Sequence, residues 1–292
     1  MAKIISFINF KGGVGKTTIC VETAASLAGR FDARVLLIDL DPQTNATLSL
    51  MTEREWETHS SDPGTLLDFF SACVDERPFD IAQIRHFYTK HPLGKNIHLL
   101  PSHLELFGMD LQLATKFGHG DIQAKVFLRN ALRDLSPQYD FIFIDCPPNI
   151  YLATQNGLFA SDHYVVVVLA EYLSTLGLAH IQKSIDGIFQ QSNQLLQSIG
   201  GGSMLSPSLL GIIFNRVRYE TGGTSNEEAI MAGIRARYTD LVFQHRISLS
   251  TQIAQRAEQK VPIALSGYAA DRRYEQQMRN VAEEFYERIT RP

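Results

Sequence analysis

Cysteine is scarce in this 292-residue sequence, and its three copies, Cys20, Cys73 and Cys146, stand far apart. Such spacing fits neither a set of paired disulfides nor the closely spaced ligands of a zinc site. The nine histidines form no H-E-x-x-H motif and no cluster with cysteine, and no G-x-S-x-G segment is present. We therefore expect neither a zinc centre nor serine-hydrolase chemistry. Cys146 lies between an aspartate and two prolines, and we interpret it as a packing residue.

Long apolar runs are also missing. No stretch of about 18 apolar residues occurs, which excludes a membrane-spanning helix. The first residues, MAKIISFINF, lack the charged, apolar and small-residue regions of a signal peptide. Hydrophobic residues make up 45% of the chain and charged residues 20%, which is ordinary for a globular protein. These features predict a cytoplasmic protein.

Acidic residues outnumber basic residues in the chain as a whole, and the formal net charge is −4. Residues 1–208 hold 15 Lys and Arg against 21 Asp and Glu, whereas residues 209–292 hold 12 against 10. All but one of the C-terminal cations are arginine. Two interpretations of this basic third remain open: a surface that contacts a phosphate backbone, or an ordinary solvated surface.

Apolar runs of strand length alternate with helical stretches, the pattern of a mostly parallel, twisted α/β sheet with helices on both faces. The predicted strands are Lys3–Asn9, Val35–Leu40, Ile97–Leu100, Phe141–Asp145, Tyr164–Leu169 and Leu209–Phe214. The predicted helices are Thr17–Ala28, Leu104–Lys116, Ile122–Leu135, Leu176–Ser198, Asn226–Tyr238 and Ala269–Ile289. No repeat or linker divides the chain, so we expect residues 1–292 to form a single domain. Segment 51–63 is predicted as a surface excursion, in which Trp56 packs locally or, alternatively, anchors a partner.

A glycine-rich stretch, Phe10–Thr18, lies between the first predicted strand and the first predicted helix. It reads FKGGVGKTT, and the order strand, glycine loop, Lys-Thr, helix is typical of a phosphate-binding P-loop. Glycines let backbone N–H groups surround phosphate oxygens, while the helix N-terminus and Lys16 add positive charge. Thr17 offers a hydroxyl to a Mg²⁺ that bridges the phosphates. The predicted nucleotide-binding residues here are Lys11, Gly12, Gly13, Val14, Gly15, Lys16, Thr17 and Thr18.

The loop departs from the common G-x-x-x-x-G-K-[ST] pattern, because Phe10 replaces the first glycine and Lys11 precedes the glycine pair. The form K-G-G-x-G-K-T-T resembles the deviant Walker A loop of the ParA/MinD class of ATPases. That resemblance implies a P-loop ATPase fold with ATP and Mg²⁺ as cofactors. It also implies that Lys11 reaches across a dimer interface to the partner's nucleotide.

Three aspartates lie at the carboxyl ends of two of the predicted strands: Asp39 and Asp41 in LLIDLDPQTNAT, and Asp145 at the end of FIFID. The i, i+2 spacing directs Asp39 and Asp41 to one side, and the carboxyl ends of parallel strands form ligand sites. We therefore expect these carboxylates to converge on the P-loop. Both segments also resemble the ParA/MinD class. By that resemblance Asp41 orients the attacking water, Asp39 contacts the hydration shell of Mg²⁺, and Asp145 holds Mg²⁺ through water.

The resemblance continues towards the C-terminus. EYLSTLGL at Glu171–Leu178 matches a family segment whose glutamate is not a general base, so we interpret Glu171 as a carboxylate at a helix start. IIFNRV at Ile212–Val217 implies that Asn215 contacts adenine and that Arg216 is a second base contact. The segment VPIALSGYAADRRYEQQM resembles the family's closing segment, in which a Val-Pro pair lies near the base. The predicted catalytic residues are thus Lys11, Lys16 and Asp41, and the predicted metal-site residues are Thr17, Asp39 and Asp145.

These resemblances imply a ParA-type ATPase that closes into an ATP-dependent homodimer and binds DNA without sequence preference over the nucleoid. A ParB-like adaptor would stimulate hydrolysis, and the cargo would be a plasmid, a chromosome or another cellular body. The candidate DNA contacts, chosen from charge and C-terminal position, are Arg216, Arg218, Arg246, Arg256 and Arg273. Two alternatives remain. One is a MinD-like membrane-associated ATPase, which the carboxylate-rich final residues disfavour, and the other is a regulatory or assembly ATPase. No sequence ahead of the first strand suggests a helix-turn-helix domain.

Overall fold

One sheet forms the centre of the protein in the computed structural model, which describes residues 1–61, 63–118, 121–218, 225–250, 255 and 258–291. Within those residues the sheet has seven strands: β1 Lys3–Ile8, β2 Val35–Asp39, β3 His86–Phe87, β4 Ile97–Leu100, β5 Phe141–Asp145, β6 His163–Val168 and β7 Ser208–Phe214. Their order across the sheet is β3-β4-β2-β5-β1-β6-β7. Only the short β3 runs antiparallel to its neighbour. The predicted mostly parallel α/β fold is confirmed.

Helices cover both faces of this sheet. They are α1 Lys16–Phe31, α2 Asn45–Leu50, α3 Glu53–Ser60, α4 Leu66–Val74, α5 Leu106–Phe117, α6 Gln123–Leu135, α7 Leu152–Ala160, α8 Tyr172–Ser198, α9 Ser225–Tyr238, α10 Ile263–Ser266 and α11 Arg272–Thr290. None of the helices in the described part of the chain has the length and apolar composition needed to cross a membrane.

Two apolar layers hold these helices to the sheet. Along β5, Phe141 and Phe143 point into the layer of α1, α2, α10 and α11, while Ile142 and Ile144 point into the layer of α4 to α9. Phe285 of α11 packs edge-on against Phe143, with ring centroids 5.1 Å apart. Burial on both sides explains why these strands read as continuous apolar runs in the sequence.

The predicted surface segment 51–63 contains α3, which begins at a capping box formed by Thr52 and Glu55. No residue of α3 is fully buried. The indole N–H of Trp56 donates a hydrogen bond of 2.9 Å to the Ser102 carbonyl, and the indole lies 5.5 Å from the His103 ring. The tryptophan therefore holds α3 to the loop that follows β4.

The strand order brings three loops to one edge of the sheet. β5 lies between β2 and β1, and its final residue, Asp145, pairs in register with Asp39 of β2 and with Phe7 of β1. The loop from β1 to α1 is the glycine-rich stretch, so it opens beside Asp145 and one strand away from Asp39. Topology alone therefore brings Asp145 to a glycine loop and an aspartate, Asp39, that precede it by more than a hundred residues in the sequence.

Glu22 connects the helix after the glycine loop to a distant segment. Its buried carboxylate accepts hydrogen bonds from the backbone N–H groups of Ile263 and Ala264, each 2.9 Å long. Burial raises the pKa of Glu22 to about 7, although the two hydrogen bonds act in the opposite direction. At neutral pH the ionised Glu22 carboxylate is therefore destabilised by desolvation in the folded protein, and this cost is absent in the unfolded chain.

We predict that this cost makes the stability difference between the wild type and Glu22→Gln depend on pH. A raised pKa in the folded state favours folding at acid pH, and that contribution is lost as pH rises towards 7. Between about pH 5 and about pH 8, the unfolding free energy of the wild type should fall relative to Glu22→Gln by roughly 2–3 kcal/mol. Denaturant unfolding at both pH values measures this difference. A difference that does not change with pH would contradict the buried, ionisable state of Glu22.

Candidate functional site

The glycine-rich loop has backbone geometry that only glycine adopts without strain at two positions. Gly13 and Gly15 have φ angles of +75° and +86°. A Cβ on Gly15 would lie 2.2 Å from the Asn215 Nδ2 atom, whereas a Cβ on Gly12 would meet nothing within 4 Å. The loop is therefore most tightly constrained at its end, where α1 begins.

Asn215, the predicted adenine contact, lies against this loop. Its buried Nδ2 donates a hydrogen bond of 2.8 Å to the Val14 carbonyl, across a sequence separation of 201 residues. This bond joins the end of β7 to the loop that precedes α1. Arg216, the predicted second base contact, follows with an exposed side chain and a φ angle of +53°. A left-handed conformation in a non-glycine residue is frequent at binding sites.

Asp145 has an unusual environment for a carboxylate. It is fully buried, and neither of its oxygens has a hydrogen-bond partner of normal geometry. Burial raises the pKa of Asp145 to about 7, while the nearby Thr17 hydroxyl and Lys16 ammonium act to lower it. Lys16 itself is buried at the first position of α1. The structure thus brings together Lys16, Thr17 and Asp145, as the motifs predict.

Asp39 is also fully buried, but its oxygens are satisfied. One oxygen accepts hydrogen bonds from the Thr47 backbone N–H at 2.8 Å and from the Thr47 hydroxyl at 2.7 Å. The other accepts the Asp41 backbone N–H at 3.2 Å. Burial, and then the charge of Asp145, raise the pKa of Asp39 well above its ordinary value. These bonds fix Asp39 so that it faces the site in one orientation.

Asp41 lies in the loop between β2 and α2, and one of its carboxylate oxygens accepts the Gln43 N–H at 3.0 Å. The Ser102 hydroxyl donates to the Asp41 carbonyl at 2.7 Å, and the Ser102 N–H donates to the Thr47 hydroxyl at 2.9 Å. Sequence reasoning missed Thr47 and Ser102 as positioning residues. The only sequence signal for either residue is the final threonine of the D-x-D-P-Q-x-N-A-T segment, which is Thr47.

The donor set around Asp145 fits Mg²⁺. Magnesium prefers oxygen ligands, keeps several waters, and is held by one or two carboxylates together with substrate phosphates. Asp145 supplies two unpaired carboxylate oxygens, Thr17 a hydroxyl, and Asp39 a fixed carboxylate nearby. Among the described residues no three His, Cys, Asp or Glu side chains form a closed metal cage. The arrangement therefore suits a hydrated ion that bridges to phosphate.

Lys11 has a different environment from Lys16. Its side chain is 44% exposed and forms an ion pair with Glu171, which stands at the N-cap position of α8. Glu171 thus lies at a helix start, as predicted, although its carboxylate pairs with Lys11 and does not cap the helix. The Lys11 backbone N–H donates to Asn9 Oδ1 at 2.8 Å. An exposed ion pair contributes only about 0–1 kcal/mol, so Lys11 can change partners at little cost.

The Cys146 thiol, next to Asp145, is buried, and burial raises its pKa to about 12. A thiol with such a pKa remains protonated at neutral pH and does not act as a nucleophile. This agrees with its interpretation as a packing residue.

The candidate DNA-contacting arginines fall in neighbouring segments. Val217 pairs with Ser248, so Arg216 and Arg218 lie near Arg246. Ser248 also bonds Gln277 of α11, the helix that carries Arg273 in its first turn. Arg216, Arg218 and Arg273 are exposed, and Arg246 is half-buried with its guanidinium against the Met231 sulfur. Arg256 lies outside the described residues.

Comparison with known proteins agrees with this geometry. A family model described as "AAA domain" matches residues 2–198. The chromosome-partitioning ATPase Soj of Thermus thermophilus is 32% identical over 251 residues, which cover 86% of this chain and 83% of that protein. The chromosome partitioning protein ParA of Myxococcus xanthus is 34% identical over 201 residues, or 68% of this chain and 64% of that protein.

Two solved structures share the fold over almost the whole chain. Apo McdA of Cyanothece superposes with a TM-score of 0.73 at 24% identity, covering 97% of this chain and 99% of that one. Cobyrinic acid a,c-diamide synthase of Mycobacterium smegmatis, with a bound ATP analog and magnesium, also gives 0.73 at 23% identity, covering 99% and 96%. At these identities the likeness concerns the fold.

We predict that Gly15→Ala destabilises the nucleotide-free protein, because the new methyl group would displace Asn215 and force alanine into a left-handed conformation. The expected loss of unfolding free energy is about 1–3 kcal/mol. Gly12→Ala adds the same methyl group to open space in the same loop, and its effect should stay within about 0.5 kcal/mol. Denaturant unfolding compares the two variants. Equal losses would contradict both the clash with Asn215 and the backbone strain at Gly15.

The motifs, the strand ends at which they meet and the matched relatives all agree on one family. This chain belongs to the ParA/Soj-type partition ATPases of the ParA/MinD class.

Proposed function

We propose that this protein binds Mg-ATP at the glycine-rich loop, closes into a homodimer around two nucleotides and hydrolyses ATP. The observation that carries the proposal is the convergence of Lys16, Thr17 and the unpaired Asp145 carboxylate at the carboxyl ends of β1 and β5. The ATP analog and magnesium bound by the Mycobacterium smegmatis structure support the choice of ligand. Residues 1–292 would act as one ATPase domain.

Each part of the nucleotide would meet a different group of residues. The backbone N–H groups of the glycine loop and the start of α1 surround the phosphates, and Lys16 neutralises their charge. Asn215, held against Val14, contacts the adenine, and Arg216 lies over or beside the base. Thr17 and Asp145 would hold the magnesium ion, and Asp39 would contact its water shell. A bound ion would supply positive charge that stabilises the transferring phosphoryl group.

Hydrolysis would require residues from two subunits. Asp41 orients the attacking water, because the loop that carries it is fixed by Gln43 and Ser102 next to Asp39. Lys11 leaves Glu171 and reaches the partner's nucleotide, where its charge stabilises the transition state as an arginine finger does. A two-fold dimer makes this exchange reciprocal. ATP would thus drive association, and hydrolysis would drive release.

The dimer would bind DNA without sequence preference through basic side chains of the C-terminal third. The candidates remain Arg216, Arg218, Arg246, Arg256 and Arg273. A ParB-like adaptor would stimulate hydrolysis and so move a plasmid, a chromosome or another cargo over the nucleoid. The names of the ParA and Soj relatives support a role in partition.

The burial of helix α11 argues against the MinD-like alternative, in which the final helix attaches to a membrane. Its apolar residues Met278, Val281, Ala282, Phe285 and Ile289 are buried in the core. A bilayer-binding helix needs an apolar face that is free to enter the membrane interface. Because α11 buries its apolar face in the core, that face is not free to enter a membrane. We therefore favour DNA binding over membrane binding for this ATPase.

We predict that Lys11→Ala retains nucleotide binding but loses turnover. A charge that acts only on the transition state contributes about a thousandfold or more to the rate, and little to ground-state affinity. Binding of a fluorescent ATP analogue to the monomer and phosphate release at saturating ATP measure the two effects. Lys95→Ala, which removes another exposed lysine, should change neither. Persistent turnover by Lys11→Ala would refute the role of this lysine.

We predict that Asp41→Ala accumulates as an ATP-bound dimer, because the water is no longer oriented and the release step is blocked. Size-exclusion chromatography with ATP and Mg²⁺ should give twice the 32.7 kDa monomer mass, and the dimer should retain random-sequence DNA. Retention should weaken steeply with salt, since phosphate contacts release counterions. An Asp41→Ala protein that stays monomeric in ATP would refute the role assigned to Asp41. Equal DNA retention with and without ATP would refute the switch.

A further inference from the structure

A groove of about 420 Å³ lies between α5 and α7, beside the loop that joins β5 to α7. Three large apolar side chains line it and stay exposed: Phe107 and Leu111 of α5 are 67% and 71% exposed, and Tyr151 is 64% exposed. Single exposed apolar residues are common, whereas several around one concave surface mark a contact site for another molecule. A small-molecule pocket would enclose most of its ligand. These exposed side chains therefore suit a macromolecular partner.

The polar groups of the groove include an unpaired acceptor and two carboxylates. Gln155 donates a hydrogen bond of 2.9 Å from Nε2 to the Ile150 carbonyl, while its Oε1 is buried without a partner. Asp41 and Asp110 supply the carboxylates, and none of the described residues that line the groove is Lys, Arg or His. Buried acceptors without donors, and carboxylates without nearby positive charge, are unfavourable in an apolar site. The groove therefore favours a partner that brings hydrogen-bond donors and positive charge.

Asp110 connects the two helices of the groove. Its Oδ1 accepts the Ala153 N–H of α7 at 2.8 Å, and its side chain is half-buried. Burial raises the pKa of Asp110, although the N–H groups of Ala153 and Leu152 act to lower it. A cation placed beside this carboxylate would offset its desolvation.

The two loops that hold the site's aspartates also line the groove. Residues 41–43 line it from the loop after β2, and residues 147–149 line it from the loop after β5. Prolines stiffen both segments, because the proline ring fixes the φ angle. A molecule that fills the groove therefore contacts the loops that follow Asp39 and Asp145.

We propose that the α5–α7 groove is the docking site for a basic amphipathic helix of a partner protein. Large apolar side chains of that helix pack against Phe107, Leu111 and Tyr151. A Lys or Arg beside them pairs with Asp110 and donates to Gln155. None of the described residues that line the groove belongs to a strand, so a partner cannot dock there by adding a strand to the sheet.

This surface gives the adaptor of the proposed function a place to act on both aspartate loops. That link to the adaptor rests on the proposed function, whereas docking itself requires no nucleotide. The groove can therefore be tested on its own.

Fluorescence polarisation with designed peptides tests the groove in the full-length, nucleotide-free protein. The probe is a labelled amphipathic peptide of about 18 leucines and lysines, with its leucines at positions i, i+3, i+4 and i+7. A second peptide carries glutamate in place of every lysine. The wild type should bind the lysine peptide at least about tenfold more tightly than the glutamate peptide.

Three substitutions locate the binding. Leu111→Lys adds a positive charge at an exposed position of the groove and should lower affinity for the lysine peptide about tenfold. Leu205→Lys is the matched control, because Leu205 is 87% exposed and lies outside the groove, and it should leave the affinity unchanged. Asp110→Asn keeps an acceptor for the Ala153 N–H but removes the charge, and it should lower the affinity about threefold.

The outcomes separate this inference from the proposed function. A wild type that does not bind the lysine peptide, or binds both peptides equally, would overturn the inference. Equal affinity of the wild type and Leu111→Lys would also overturn it, since the peptide would then bind elsewhere. Retained peptide binding by a protein that does not hydrolyse ATP would refute the proposed function and leave the docking site standing.

A second copy of this chain is the competing occupant of the groove. Size-exclusion chromatography with Mg²⁺ and a non-hydrolysable ATP analogue should show that Leu111→Lys and Leu205→Lys associate as the wild type does. Loss of association in Leu111→Lys alone would place a second copy in the groove and overturn the inference.

Discussion

Two buried carboxylates on neighbouring parallel strands impose the main constraint on this protein. Asp39 and Asp145 are paired in register at the carboxyl ends of β2 and β5, and burial raises the pKa of each. Like charges in a low-dielectric site repel, so the ionised pair requires positive charge nearby. Lys16 and the start of α1 supply part of it, and the unpaired oxygens of Asp145 suit a bound magnesium ion. The site is therefore organised to receive Mg²⁺ together with phosphate.

The sequence predicted most of the sheet and the residues that surround the phosphates. Strands that are buried on both faces give continuous apolar runs, and the predicted β5, Phe141–Asp145, agrees with the structure at both ends. The short β3 and the helices α2, α3, α4, α7 and α10 were not predicted. Helix α7 is buried almost all round, so it has no polar face and no amphipathic period, and α3 has no buried residue at all. Helix α8 begins at Tyr172, four residues before the predicted start.

Contacts between distant residues account for what the sequence could not predict. Thr47 and Ser102 fix the loop of Asp41, and Glu22 bonds backbone groups more than 240 residues away. No local pattern signals such partners, because their roles depend on which loops the strand order brings together. The same holds for Lys11: its motif predicts a role in a partner subunit, while its pairing with Glu171 is visible only in the folded chain. That exposed pair keeps the lysine near the site and releases it at small cost.

Complementation between two inactive variants tests the shared active site most directly. Lys11→Ala and Asp41→Ala subunits are mixed in equal amounts before ATP is added, and phosphate release is measured. In a mixed dimer, one site combines Asp41 of one subunit with Lys11 of the other, so turnover should recover to about one quarter of the wild-type rate for random two-fold pairing. If Lys11 acted within its own subunit, neither site would be complete. A mixture as inactive as each variant alone would contradict the dimeric mechanism.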